Sequence, residues 1–174
     1  MILLEINDAE QENDSRVMLK AFFPEAKIVT SVPEGHEEAA ELFVQVRVIK
    51  QQMTHTENDD CDRFIRIYFH RDASKDHEEY EDERRETASG KKETRNCFKR
   101  MMYDMLSTLT GRELPWGTLT GVRPTKIVYG LLEENKSTQE ITDYLKKEYY
   151  VSTRKGKLAI KVAENEKSLL EKID

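Results

Sequence analysis

Cysteine is scarce in this chain. Cys61 and Cys97 are the only two, and they form no CxxC pair. That count excludes a disulfide framework and a cysteine-rich zinc fold. Free thiols fit a reducing, cytoplasmic setting, with Cys97 read as a small buried hydrophobe at the start of a helix. The four histidines, His36, His55, His70 and His77, belong to no HExxH, HxxxH or Cys/His pattern. GxGxxG, GxxxxGK[ST] and GxSxG are missing too. No apolar run is long enough to span a bilayer, and Met-Ile-Leu-Leu-Glu-Ile at the N-terminus lacks the basic region of a secretory signal. The acidic loop His55–Asp62 lacks the glycine and the terminal glutamate of a calcium loop, so it reads as a solvated hairpin. No catalytic residue, no metal site and no membrane partner are therefore expected.

What is abundant is charge, at 36% of residues against 37% apolar, with a net charge of −6. It is unevenly spread. Residues 1–90 carry 11 basic against 22 acidic side chains, and residues 91–174 carry 17 against 12. The first part repels nucleic acid. In the second part the signs alternate, as on solvated helices, and no continuous basic patch forms.

Periodicity divides the chain. Met1–Ile6 and Lys27–Val32 read as short strands. Leu42–Ile49 and Arg63–His70 alternate with period two, the mark of a half-buried strand. Between the first two strands, Val17, Met18, Ala21 and Phe22 share a helical face, with Asn13 or Asp14 as the cap. Residues 1–70 thus predict β-α-β-β-β, a small, mostly antiparallel sheet with one helix. Residues 71–93 are dense in charge and nearly free of apolar side chains, which predicts a charged linker or a solvated helix extension. From residue 94 to 174 the period is 3.6. Phe98, Met101, Met102, Met105, Leu106 and Leu109 mark a helix ending at Gly111, the methionines serving as core. A helix opening at Pro124 follows, with Asn135 as its C-terminal cap. Another is capped by the Ser137–Glu140 box, and a last one starts after Ser152. The expected fold class is α+β, with an all-helical half of about four helices. The last helix is still running at Asp174, so a piece of a longer protein is expected.

Backbone-special residues concentrate in one place. Gly111, Gly117, Gly121 and Gly130, Pro115 and Pro124, and the single tryptophan, Trp116, lie within twenty residues of chain. Pro115 and Gly117 bracket Trp116 with a fixed and a permissive backbone angle. Gly121 tolerates a positive φ or a close backbone approach. Arg123 is held extended by Pro124. Thr125 and Lys126 then fall in the first turn of a helix, where amide N–H groups lack partners. Arg123, Lys126 and those amides offer a grip for a carboxylate or phosphate. The alternative is a structural corner, with Trp116 filling a gap between helices and the cations paired to acidic neighbours or to another domain.

The run Leu-Pro-Trp-Gly-Thr-Leu-Thr-Gly-Val-Arg-Pro-Thr-Lys-Ile, from Leu114 to Ile127, resembles a segment of the HemZ-type oxygen-independent coproporphyrinogen III oxidases, a radical S-adenosylmethionine family. Leu-Leu-Glu-Glu-Asn-Lys-Ser, Tyr-Val-Ser-Thr-Arg-Lys and Val-Ala-Glu-Asn-Glu further on resemble the same region. The likeness covers residues 94–174 well and 1–90 only loosely. In that family a barrel opened by CxxxCxxC holds a 4Fe-4S cluster, which cleaves S-adenosylmethionine to a radical that begins propionate decarboxylation. No such motif occurs here, so the resemblance implies an accessory region with no cofactor of its own and no catalytic residue. It further implies the radical S-adenosylmethionine barrel of the same chain as a partner, and a tetrapyrrole substrate as another. Gly121, Arg123, Pro124, Thr125 and Lys126 are the positions that match the family's motif.

Two readings of other classes compete. Residues 137–147 and 152–172 faintly resemble a helix-turn-helix, yet Ile141 and Val151 stand too far apart for the compact turn, and the charge on the last helix alternates. A nucleic-acid partner is therefore not expected. The acidic first part also suits a protein-interaction module.

Overall fold

The computed structural model describes residues 1–31, 40–50, 62–74, 77–120 and 123–170. The chain divides into two compact units, Met1–Arg112 and Glu113–Asp174.

The first unit is a five-stranded sheet backed by two helices. Its elements are β1 (Ile2–Ile6), α1 (Ala9–Phe22), β2 (Ile28–Val29), β3 (Leu42–Lys50), β4 (Asp62–Arg71), β5 (Tyr80–Ser89) and α2 (Gly90–Thr110). The strand order is β2-β1-β3-β4-β5. β1 runs parallel to both of its neighbours, and the long ladders β3–β4 and β4–β5 are antiparallel. The α+β expectation holds, with a mixed sheet. One sheet face is apolar because alternate residues of each strand point the same way. Leu4, Val44 and Phe69 are register partners on that face, as are Val46 and Ile67, and all are fully buried. Met18, Leu19 and Phe22 of α1, together with Phe98, Met102, Met105 and Leu106 of α2, complete the core. The methionines are core residues, as their spacing predicted.

Three expectations need correction. Residues 71–93 are not a linker, because Tyr80–Ser89 forms β5 and pairs with β4 along its length. Period two is invisible there because both faces of this edge strand are polar, which also guards an edge against unwanted pairing. Side-chain bonds to β4 stand in for apolar contact: Arg66 donates to Glu83 at 2.8 Å and Tyr68 to Glu81 at 3.1 Å. β5 then passes straight into α2 through Gly90, whose φ of 75° suits glycine and turns the chain without a loop. Second, α1 is capped by Asp8, which accepts from the Glu10 amide at 2.8 Å, and not by Asn13 or Asp14. Asp14 lies inside the helix, buried. Third, β2 is shorter than the predicted Lys27–Val32. The expected solvated hairpin at 51–62 falls, apart from Asp62, outside the described residues, as do Cys61, His36 and His55.

The second unit holds α3 (Pro124–Glu133), α4 (Thr138–Tyr149) and α5 (Thr153–Leu170). Its core joins Leu119, Val128, Ile141, Leu145, Val151 and Ile160 with Ala159 and Ala163. Most of the predicted caps are present. Gly111 ends α2 at φ 64°, and Ser137 and Glu140 close a full capping box, whereas α3 is capped by Glu134, with the expected Asn135 following it at φ 58°. Ser152 Oγ accepts from the Lys155 amide at 3.4 Å at the start of α5. Among the described residues, no helix is long and apolar enough to cross a membrane.

Candidate functional site

The corner that precedes α3 is built on the end of α4. α4 stops because Tyr150 turns left-handed, at φ 58°, and its amide donates back to Lys146 at 3.1 Å. A helix end leaves carbonyls without partners. The Tyr149 carbonyl is one of these, and Thr118 satisfies it twice: its amide donates at 2.8 Å and its hydroxyl at 3.3 Å. In return the Ser152 amide donates to the Pro115 carbonyl at 3.1 Å. The segment 115–118 therefore ties the end of α4 to the approach to α5.

Gly117 makes this closeness possible. Its φ is +55°, and a Cβ there would overlap the Tyr149 carbonyl oxygen and stand 2.6 Å from that of Tyr150. Trp116 is half-buried against the helical core, with the Lys155 ammonium 5.2 Å from its ring centroid, within cation–π range. Thr120 has its hydroxyl shielded from water with no hydrogen-bond partner among the described residues. Residues 115–118 thus form a packed corner against the ends of α4 and α5.

The cations stand apart from that packing. Arg123 is the N-cap of α3, extended at φ −79° and ψ 107°, with Pro124 in the first helical position. Arg123 and Lys126 are both exposed, while Pro124 and Thr125 are half-buried. Among the described residues neither cation makes a side-chain hydrogen bond or ion pair, and the first turn of α3 holds no acidic residue. The structure thus brings Arg123, Pro124, Thr125 and Lys126 into one positive, solvent-facing turn. Gly121 lies outside the described residues.

A second polar cluster escaped the sequence reading. Glu10, Gln11, Lys91, Lys92, Arg95 and Asn96 line a groove of about 580 Å³ between α1 and α2. Beneath it, Arg95 grips the buried Asp14 carboxylate with two donors, one at 2.9 Å. Lys99, one turn on, is buried, and burial pushes its amine below the ordinary lysine range. Glu10 and Asp14 at i, i+4 facing Lys91 and Arg95 at i, i+4 is a signal the sequence contains. Nothing local joins the two pairs, since Asp14 and Arg95 lie 81 residues apart. The charges pair chiefly with one another, Lys91 standing 3.8 Å from Glu10.

Cys97 is half-buried, and burial pushes its thiol up, away from the reactive thiolate. A 4Fe-4S cluster held by a three-cysteine motif does not fit this chain, whose two cysteines are one short. Among the described residues no three His, Cys, Asp or Glu side chains gather as a metal site.

No family model and no solved structure matches the chain. Among curated proteins, it is similar to the oxygen-independent coproporphyrinogen-III oxidase-like protein HemZ of Bacillus subtilis (strain 168). The two are 33% identical over 64 residues, 37% of this chain and 13% of that protein. The matched region thus spans a small part of the relative's length.

Proposed function

We propose that this chain is a non-catalytic accessory region of an oxygen-independent coproporphyrinogen-III oxidase-like protein, and that the first turn of α3 meets a carboxylate-bearing tetrapyrrole. The observation that carries the first statement is the 33% identity with HemZ over 64 residues. The two-cysteine inventory supports a role outside the redox chemistry. S-adenosylmethionine and a 4Fe-4S cluster belong, in this reading, to a radical S-adenosylmethionine barrel elsewhere in the protein, which is this region's partner.

The second statement rests on the division of labour in the corner. Thr118, Gly117 and Trp116 are committed to packing, whereas Arg123 and Lys126 are exposed and have no side-chain partner among the described residues. Propionate carboxylates are the groups that a guanidinium and an ammonium at the positive end of a helix bind well.

Trp116 provides the readout. Titration of the purified chain with coproporphyrin III should quench its fluorescence saturably. The double variant Arg123→Ala/Lys126→Ala should weaken binding about tenfold, equivalent to ~1.4 kcal/mol. Absent quenching, or quenching indifferent to the variant, removes the tetrapyrrole contact and leaves the corner purely structural. The accessory role is tested by anaerobic reconstitution with iron and sulfide. An iron–sulfur absorption spectrum, or porphyrinogen decarboxylation on adding S-adenosylmethionine and reductant, would overturn it.

A further inference from the structure

Four large apolar side chains are exposed among the described residues, and three of them are on α5: Leu158 at 46%, Val162 at 37% and Leu169 at 61%. Spacings of four and seven residues set them in one stripe along the helix. The stripe faces away from Ala159, Ile160 and Ala163, which α5 buries in the bundle. Beyond Ala163 no described residue of α5 is buried. Residues 164–169 therefore add no buried side chain to the core, and a helical segment without tertiary packing is marginal in water.

The charges along α5 are polarised. In place of the expected alternation, Thr153 to Ala163 carries Arg154, Lys155, Lys157 and Lys161 and no acid, whereas the next residues bring Glu164 and Glu166 with the single cation Lys167. The two leucines of the stripe are centred on the point between Ala163 and Glu164, across which Val162 is matched by the polar Asn165. Leu158 and Leu169 lie equally far from it, and so do Val162 and Asn165.

We propose that α5 is a self-pairing surface, through which two copies of this chain associate as antiparallel helices. A two-fold axis at that midpoint lays Leu158 of one copy on Leu169 of the other and Val162 beside Asn165. The last turns of each copy then cover the uncovered stripe of its mate. Antiparallel pairing sets the basic half against the acid-bearing half and opposes the helix dipoles, whereas parallel pairing would set the basic halves together. Asn165 in the seam fixes the register, as a single polar residue does in coiled coils. The interface is isologous, so the dimer closes. This inference does not depend on the porphyrinogen reading.

Sedimentation of the purified 174-residue chain from about 1 to about 300 μM tests it. A reversible dimer with Kd in the tens of micromolar is expected, since the stripe is narrower than an obligate interface. Leu158→Glu or Leu169→Glu should weaken it at least about tenfold, while Ile49→Glu, on the sheet, should leave it unchanged. Orientation is read by oxidation, with Cys61 and Cys97 replaced by Ser. Mixed Leu158→Cys and Leu169→Cys chains should cross-link to each other. Leu169→Cys alone should not, because the antiparallel register separates the two positions by about 16 Å along the axis. A monomer at every concentration, a dimer indifferent to Leu158→Glu, or self-cross-linking of Leu169→Cys would each overturn the proposal.

Discussion

Gly117 lies directly against the carbonyl oxygen of Tyr149, in a space where no side chain fits. The contact joins a loop to the end of a helix some thirty residues later. It holds the second unit's corner closed.

Replacing Gly117 by Ala is therefore expected to be costly. The residue sits at φ +55°, and the added Cβ meets backbone, which cannot move aside as a side chain would. A loss of about 3 kcal/mol or more is expected, beyond the ~1 kcal/mol typical of a point substitution. Urea denaturation of the purified chain measures it. A loss below about 0.5 kcal/mol would show that the corner relaxes freely.

The open face of the sheet predicts an acid-sensitive stability. Arg47, Arg66 and Arg85 are register partners across β3, β4 and β5, an arrangement in which like charges oppose. Glu5 and Glu83 relieve it. Hydrogen bonds from Arg66 and then Arg85 hold the Glu83 carboxyl at about 2, against an ordinary 4.5. A folded value below the unfolded one means that the stabilisation is present above about pH 4.5 and is lost as pH falls towards 2. Thermal melts across that range should fall less steeply for Glu83→Gln than for the natural chain. Parallel slopes would exclude Glu83 as a contributor. Its partial exposure and salt screening keep the effect small.

Lys99 predicts a response at the alkaline end of the scale. Burial disfavours its charged form, Asp14 draws the proton back, and Arg95 repels it. With the folded value depressed, this group contributes more to stability as pH rises towards the ordinary lysine range. Lys99→Met keeps the volume and removes the buried charge, while Arg95 still pairs with Asp14. A gain of about 1 kcal/mol is expected at neutral pH, together with a flatter alkaline stability profile. A loss of similar size would mean that the attraction of Asp14 outweighs desolvation.

Much of the secondary structure was legible because its signals are local. Leu42, Val44, Val46 and Val48 alternate within one strand, and Ser137 with Glu140 announces a helix start within four residues. β5 was not legible. Its sequence, Tyr-Glu-Asp-Glu-Arg-Arg-Glu-Thr-Ala-Ser, has only Ala88 fully buried, so no hydrophobic period marks it. Asp14 misled for the same reason. An acidic residue near a helix start reads as a cap unless its distant partner, Arg95, is known.

The candidate site divides the same way. Glycine, proline and the lone tryptophan marked residues 111–130 as a place of special backbone, because those residue types restrict or free the chain wherever they occur. That Gly117 abuts Tyr149, that Thr118 satisfies a helix end, and that Arg123 and Lys126 stay exposed depended on which segments meet in space. The sequence by itself determined the helices, the strands β3 and β4, and the caps at Gly111 and Ser137, since each is specified by side chains a few residues apart. Only the tertiary structure decided the fifth strand, the Asp14–Arg95 pair and the closed corner, since each is stabilised by groups that the chain brings together across tens of residues.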